Sequence, residues 1–281
     1  MSESQEWRGE LSSLLKNIYS CADKSTWYGK VIDAYDRTRP RYPSELIDAV
    51  AKIARLEPGK EVLEIGSGPG IATVELVKLG LKVVAVEPNL TACEVARRKC
   101  ADYGEVEFYN STFENWQLDD NKFDAVVATT SFHWVAPEIR SKQTASALKE
   151  NGYLILLWNT PPQPSSGVLA KLVPVYQAYT PELAQQENID RHQQNISKFG
   201  REIIDSGYYQ NLITKAIVSQ VNYTIDDYLT LLTTLSPYIR LDSSLRDTLL
   251  QQLKNVLEQN YGDRLELSYL SMFQIAQKVN K

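Results

Sequence analysis

The stretch Glu61 to Gly70, E-V-L-E-I-G-S-G-P-G, constrains the fold more than any other part of this chain. Val62, Leu63 and Ile65 make a short aliphatic run between Pro58-Gly59 and a glycine cluster, the pattern of a strand buried in a parallel sheet. Gly66, Gly68 and Gly70 then let the backbone turn sharply and approach a ligand, because no Cβ blocks positive φ or close contact. Ile71, Val74, Leu76, Val77 and Leu79 follow at roughly helical spacing up to Gly80, so the loop opens into a helix N-terminus that favours negative charge.

Dinucleotide-binding proteins use a glycine loop too, but their G-x-G-x-x-G spacing wants a third glycine where this chain has Ile71. Glu64, two residues before the first glycine, also suits an amino group better than a pyrophosphate. A second apolar run, Leu81 to Val86, ends in Glu87, whose carboxylate can accept hydrogen bonds from both hydroxyls of a ribose.

V-L-E-I-G-S-G-P-G followed by V-V-A-V-E-P-N resembles the first two motifs of the class I S-adenosylmethionine-dependent methyltransferases. Tyr35 to Pro43 (Y-D-R-T-R-P-R-Y-P), Phe123 to Val135 and Tyr238-Ile239-Arg240 are similar to the branch that includes trans-aconitate methyltransferases. The likeness runs from about Tyr28 to near the C-terminus. It implies an α/β fold: a doubly wound, seven-stranded, mostly parallel sheet with the last strand antiparallel, and a helical cap over the carboxyl ends of the strands.

The organisation expected is a helical extension over 1–26, where Trp7, Leu11, Leu14, Leu15 and Ile18 recur at near-helical intervals. A cofactor-binding core follows over 27–160 and 206–281, with cap insertions at about 161–205 and 225–260. The pattern predicts a helix through Tyr35 stopped by Pro40 and Pro43, and a helix capped by Ser44. Another is expected over Asn89 to Tyr103, with Cys93 and Cys100 inward. Strands are expected at Val106 to Tyr109, Phe123 to Thr129 and Tyr153 to Trp158, with two long ones at Asn211 to Tyr223 and Glu266 to Lys278.

The resemblance implies S-adenosyl-L-methionine as cofactor and S-adenosyl-L-homocysteine as product. It places Glu64, Gly66, Ser67, Gly68, Gly70, Glu87 and Pro88 around them, Thr112 and Phe113 at the adenine, and Thr129 beneath the sulfonium. Tyr35 and Arg39 reach the cofactor carboxylate by the same resemblance, although the arginines before Pro43 also read as a solvated face. His133, one of two histidines, is the candidate proton acceptor or, equally, a hydrogen-bonded core residue. His192, in a polar helix, is expected to be exposed. Trp27, Tyr28, Trp134 and Tyr238 are candidates for enclosing the acceptor, and Arg240 for anchoring a carboxylate or else pairing with Asp242. Asn159-Thr160-Pro161-Pro162 follows the fifth strand and has one residue too many for the Asn-Pro-Pro-aromatic motif of exocyclic-amine methyltransferases, so it is not read as one.

Composition narrows partners. The 281 residues carry a net charge of −5 and no long basic run, so a nucleic-acid footprint is missing. Cys21, Cys93 and Cys100 lack metal-ligand spacing, which fits reduced thiols and a cytoplasmic protein without a metal site. No apolar stretch reaches the roughly eighteen residues of a membrane span, and the N-terminus is polar. The expected function is methyl transfer to a small molecule, first of all O-methylation of an organic acid. C- or N-methylation of a quinone, lipid or other metabolite, a nucleotide-dependent oxidoreductase, and a non-catalytic cofactor-binding protein are the alternatives. The sequence leaves the oligomeric state open.

Overall fold

A computed structural model describes residue 29 and residues 31–184 and 188–280. The expected extension over 1–26, Cys21, Trp27 and Tyr28 lie outside them.

The apolar runs become strands as their composition requires. The strands β1 (Glu61–Ile65), β2 (Lys82–Val86), β3 (Val106–Tyr109), β4 (Phe123–Thr129) and β5 (Leu148–Asn159) pair in parallel in the order β3-β2-β1-β4-β5. A two-residue strand, β6 (Gln163–Pro164), precedes the two long strands β7 (Tyr209–Thr224) and β8 (Arg264–Lys278). β8 inserts antiparallel between β5 and β7, so β7 runs parallel to the first five strands. The doubly wound sheet with one antiparallel insertion is the expected one, with β6 as an eighth, very short member.

Ten helices are described: α1 (Ile32–Thr38), α2 (Ser44–Ala54), α3 (Thr73–Lys78), α4 (Leu90–Cys100), α5 (Pro137–Ala147), α6 (Ser166–Tyr179), α7 (Ile189–Asp205), α8 (Ile225–Thr233), α9 (Ser236–Ile239) and α10 (Ser243–Tyr261). Helices α2, α3 and α4 bury Leu46, Val50, Leu76 and Cys100 against one sheet face with Val62, Val83 and Val127. On the other face Ala145 of α5 and Ile203 of α7 join Leu63, Val126 and Met272. A third apolar cluster stands apart above the strand ends, built from Leu172 and Tyr176 (α6), Tyr228 and Leu231 (α8), Tyr238 (α9), and Leu249 and Leu253 (α10). The far ends of β7 and β8 support it through Val221, Leu265 and Leu267.

Three local expectations change. Ser44 caps nothing: the Pro43 carbonyl already receives the Leu46 and Ile47 amides, so the helix opens one residue earlier on an extended proline. At α4 the capping side chain is Asn89, which accepts the Ala92 amide at 2.8 Å. Helix α5 was not expected from the sequence, because its buried side mixes the polar Arg140, Ser141 and Thr144 with only two alanines, Ala145 and Ala147.

Candidate functional site

The carboxyl ends of β1, β2 and β4 open onto a cavity of about 1050 Å³, roofed by α8, α9 and the segment after β5. The three glycines have different jobs there. A Cβ on Gly66 (φ +69°) would lie 2.6 Å from the Ser131 Cβ, and one on Gly70 (φ +78°) 3.0 Å from Ala96 on α4. Gly68 (φ +54°) faces open space, so its backbone is the part of the loop offered to a ligand. The Ser67 hydroxyl beside it is buried and has no hydrogen-bond partner in the structure.

Glu87 ends β2 with its carboxylate held by two backbone donors, Gly68 N–H at 2.9 Å and Asn89 N–H at 2.8 Å. Each oxygen keeps a second lone pair for a diol on the cavity side. Burial raises the Glu87 pKa, and the two amides pull it back down. Glu64 lies behind the wall rather than on it: its carboxylate accepts the Thr73 hydroxyl at 2.6 Å and that of Thr129 at 3.2 Å. Burial pushes its pKa up to about 7, against the pull of those two hydroxyls.

Pro88, Thr112, Phe113 and Thr129 all line the cavity, as do Tyr35 and Arg39 from α1 and its C-cap. Arg39 donates to Thr234 at the end of α8 through Nε to Oγ1 (3.0 Å) and through a terminal nitrogen to the carbonyl oxygen (2.8 Å), and it lies over the Tyr35 ring at 4.6 Å. Arg37 reaches Thr230 and Asp227 of the same helix. Helix α1 is thereby stapled across the cavity to the roof.

The far wall comes from the turn Phe132–Trp134, which presents His133 and Trp134. The His133 ring packs at 4.9 Å from Trp134 and 5.8 Å from Trp158. Thr130, just before, has φ +54°, an outlier for a β-branched residue. It is held there by its amide to Leu157 O (2.7 Å) and by its hydroxyl, which meets Tyr42 Oη (3.0 Å) and the Asn159 amide (3.2 Å). Strain of this kind, fixed by surrounding bonds, gathers at ligand sites.

Tyr238 lines the roof, with its hydroxyl 2.7 Å from that of Tyr176. Arg240 does not line the cavity; it is the exposed C-cap of the short α9, one turn past the wall. His192 is the opposite correction. It is half-buried, lines the cavity and meets Gln163 of β6 at 3.1 Å, because α7 starts at the roof before descending onto the sheet. Sequence gave no signal for this beyond the rarity of histidine in the chain. Asn159, Pro161 and Pro162 also reach the wall, but the Asn159 side chain is spent, its Nδ2 donating to Pro40 O and its Oδ1 accepting from Ser271 Oγ.

A family model described as a methyltransferase domain matches residues 62–152, the stretch from β1 to the start of β5 that builds the cradle. An uncharacterised methyltransferase of Mycobacterium tuberculosis is 38% identical over 138 residues, 49% of this chain and 54% of that protein. The chain thus spans about half the length of the curated relatives it matches. A candidate type II methyltransferase from Anaeromyxobacter dehalogenans shares the fold with a TM-score of 0.61 at 18% identity, covering 85% of this chain and 97% of that one. So does Haemonchus contortus phosphoethanolamine N-methyltransferase 2, in complex with phosphomonomethylethanolamine and S-adenosylhomocysteine: TM-score 0.52, 14% identity, 92% of this chain and 59% of that one. The fold is shared with these solved methyltransferases. Residues 62–152 match a methyltransferase domain.

Proposed function

We propose that the chain is an S-adenosylmethionine-dependent methyltransferase acting on a small molecule enclosed beneath the roof. One observation carries this: the cradle of Gly68 and Glu87 lines a chamber whose volume, about 1050 Å³, lies just above the usual range for ligand pockets, roughly 300–1,000 Å³, and the buried Ser67 hydroxyl lines a small pocket that shares Gly68, Tyr35 and Arg39 with it. There is room for a cofactor and an acceptor side by side.

Bound there, S-adenosylmethionine supplies a methyl group already activated on a sulfonium. The residues of the chain have the remaining task of alignment and exclusion of water, which can contribute about 7–11 kcal/mol. In this reading Glu87 takes the ribose, Thr112 and Phe113 flank the adenine, Gly68 and Ser67 meet the amino-acid end, and Tyr35 and Arg39 close over it. Trp134 and His133 face the acceptor, where the Trp134 ring favours positive charge and His133 can accept a proton.

The organic-acid acceptor of the trans-aconitate-like branch finds less support. Its expected anchor, Arg240, is off the wall, and among the described residues Arg39 is the one Lys or Arg lining the cavity, already committed to Thr234. Leu183, Leu232, Leu235, Pro161, Pro162 and Pro237 give the roof a mainly apolar surface, which favours the alternative of an apolar metabolite. Calorimetric titration with S-adenosylhomocysteine tests the cofactor reading. Glu87→Ala should weaken binding by about 2–4 kcal/mol through the loss of two hydrogen bonds to a charged group. Equal affinity in the folded variant, or a preference for NADH, would remove the reading.

A further inference from the structure

The apolar roof carries a polar pair, Gln163 with His192, that lies apart from the residues assigned to the cofactor. Gln163 and His192 come from different elements, β6 and the first turn of α7, and their side chains meet Nε2 to Nε2 at 3.1 Å on the cavity wall. Such a pair has two complementary states. With the amide nitrogen donating, His192 accepts through Nε2; with the amide turned over, His192 Nε2–H donates to the Gln163 oxygen. A ligand group that both donates and accepts can be matched by either state, and a hydroxyl is the simplest such group.

The rest of the wall selects what bears the hydroxyl. Pro161, Pro162, Pro237 and Trp134 line the cavity with flat, mainly apolar side chains, which suit a planar ring. Charge argues against an anion. Arg39 is the one Lys or Arg among the described wall residues and is bonded to Thr234, whereas Glu87, Glu114 and Glu182 all face the same cavity. An anionic acceptor would enter a chamber whose formal charges are mostly negative.

Resting on the methyl-transfer reading above, we infer that Gln163 and His192 form the acceptor's docking site, and that the acceptor is a flat, uncharged, hydroxyl-bearing aromatic. The pair holds the hydroxyl and the proline and tryptophan faces hold the ring.

The test uses the full chain loaded with S-adenosylhomocysteine and four probes of one ring system: 2-naphthol, naphthalene, 2-naphthoate and 1-naphthylmethylammonium. Equilibrium dialysis should show 2-naphthol binding at least tenfold more tightly than each of the other three. That preference should fall below threefold in Gln163→Leu and in His192→Leu, with the affinity for S-adenosylhomocysteine kept within twofold. If His192→Leu fails to fold, Gln163→Leu alone decides, since it changes a side chain on a two-residue edge strand. Tightest binding by the naphthoate or the ammonium, no preference among the four, or a preference that survives in the folded variants overturns the inference and leaves the cofactor reading standing. A chain that binds no S-adenosylhomocysteine removes both.

Discussion

Glu64 shows how much a single side chain can say about a site. It is fully buried, and the partners described for its carboxylate are the two threonine hydroxyls of Thr73 and Thr129. Desolvation, the largest influence, lifts its pKa from 4.5 to about 7. Because the folded state holds the proton more tightly than the unfolded one, this group's contribution to stability is complete below the unfolded pKa. It is lost as pH rises from about 4.5 to 7. At about 1.4 kcal/mol per pH unit the loss is about 3 kcal/mol. Urea unfolding of the cofactor-free protein at pH 5 and pH 7.5 should therefore show a steeper decline for the native chain than for Glu64→Gln, whose amide stays neutral. Parallel declines would mean that Glu64 ionises in the fold at little cost. The sequence placed an acid before the loop but not its depth. Depth depends on Thr129, which lies 65 positions away in the chain.

At the scale of elements, what was legible followed apolar periodicity. β1, β2, β4 and both long C-terminal strands are continuous or alternating aliphatic runs, and each lies within a few residues of its expected place. Helix α5 was not legible because it buries a charge. Arg140 is 1% exposed and donates through Nε to Glu202 of α7 at 2.7 Å, with a second bond from a terminal nitrogen to the other carboxylate oxygen. Its guanidinium lies over Phe132 at 5.0 Å and Phe199 at 5.2 Å, and it donates to the Phe132 carbonyl at 3.3 Å. That last bond steadies the turn that presents His133 and Trp134. Glu202 is 37% exposed, so the two partners are unequal. Glu202→Ala leaves a buried, unpaired guanidinium and should cost about 3–5 kcal/mol in thermal or denaturant unfolding. Arg140→Met with Glu202→Leu removes the charge as well and should recover most of that loss. A double variant as unstable as Glu202→Ala would show that packing around the guanidinium, not its charge, holds α5 to α7. His192 was expected to be exposed for a related reason: a polar helix looks solvated until its first turn is seen to meet β6.

The whole molecule divides its apolar interior between the sheet faces, beneath the glycine loop, and the roof cluster above the cavity. Strands β7 and β8 belong to both, pairing beside β5 at one end and carrying Val221, Leu265 and Leu267 into the roof at the other. Apart from these strands, the roof is tied down by α1, through the Arg39 and Arg37 bonds to α8 and the Tyr223 hydroxyl bonded to Thr38 O. A unit with its own core can open on its own. Leu253→Ala removes a side chain that is wholly buried in the roof cluster and should cost about 2–5 kcal/mol there. Hydrogen exchange read by mass spectrometry should then speed up in α6, α8 and α10, with protection in β1, β4 and β5 little changed. Calorimetry should find S-adenosylhomocysteine binding nearly as before, since Gly68 and Glu87 follow directly on β1 and β2, away from the roof cluster. Equal loss of protection in the roof and in the central strands would show one cooperative unit instead.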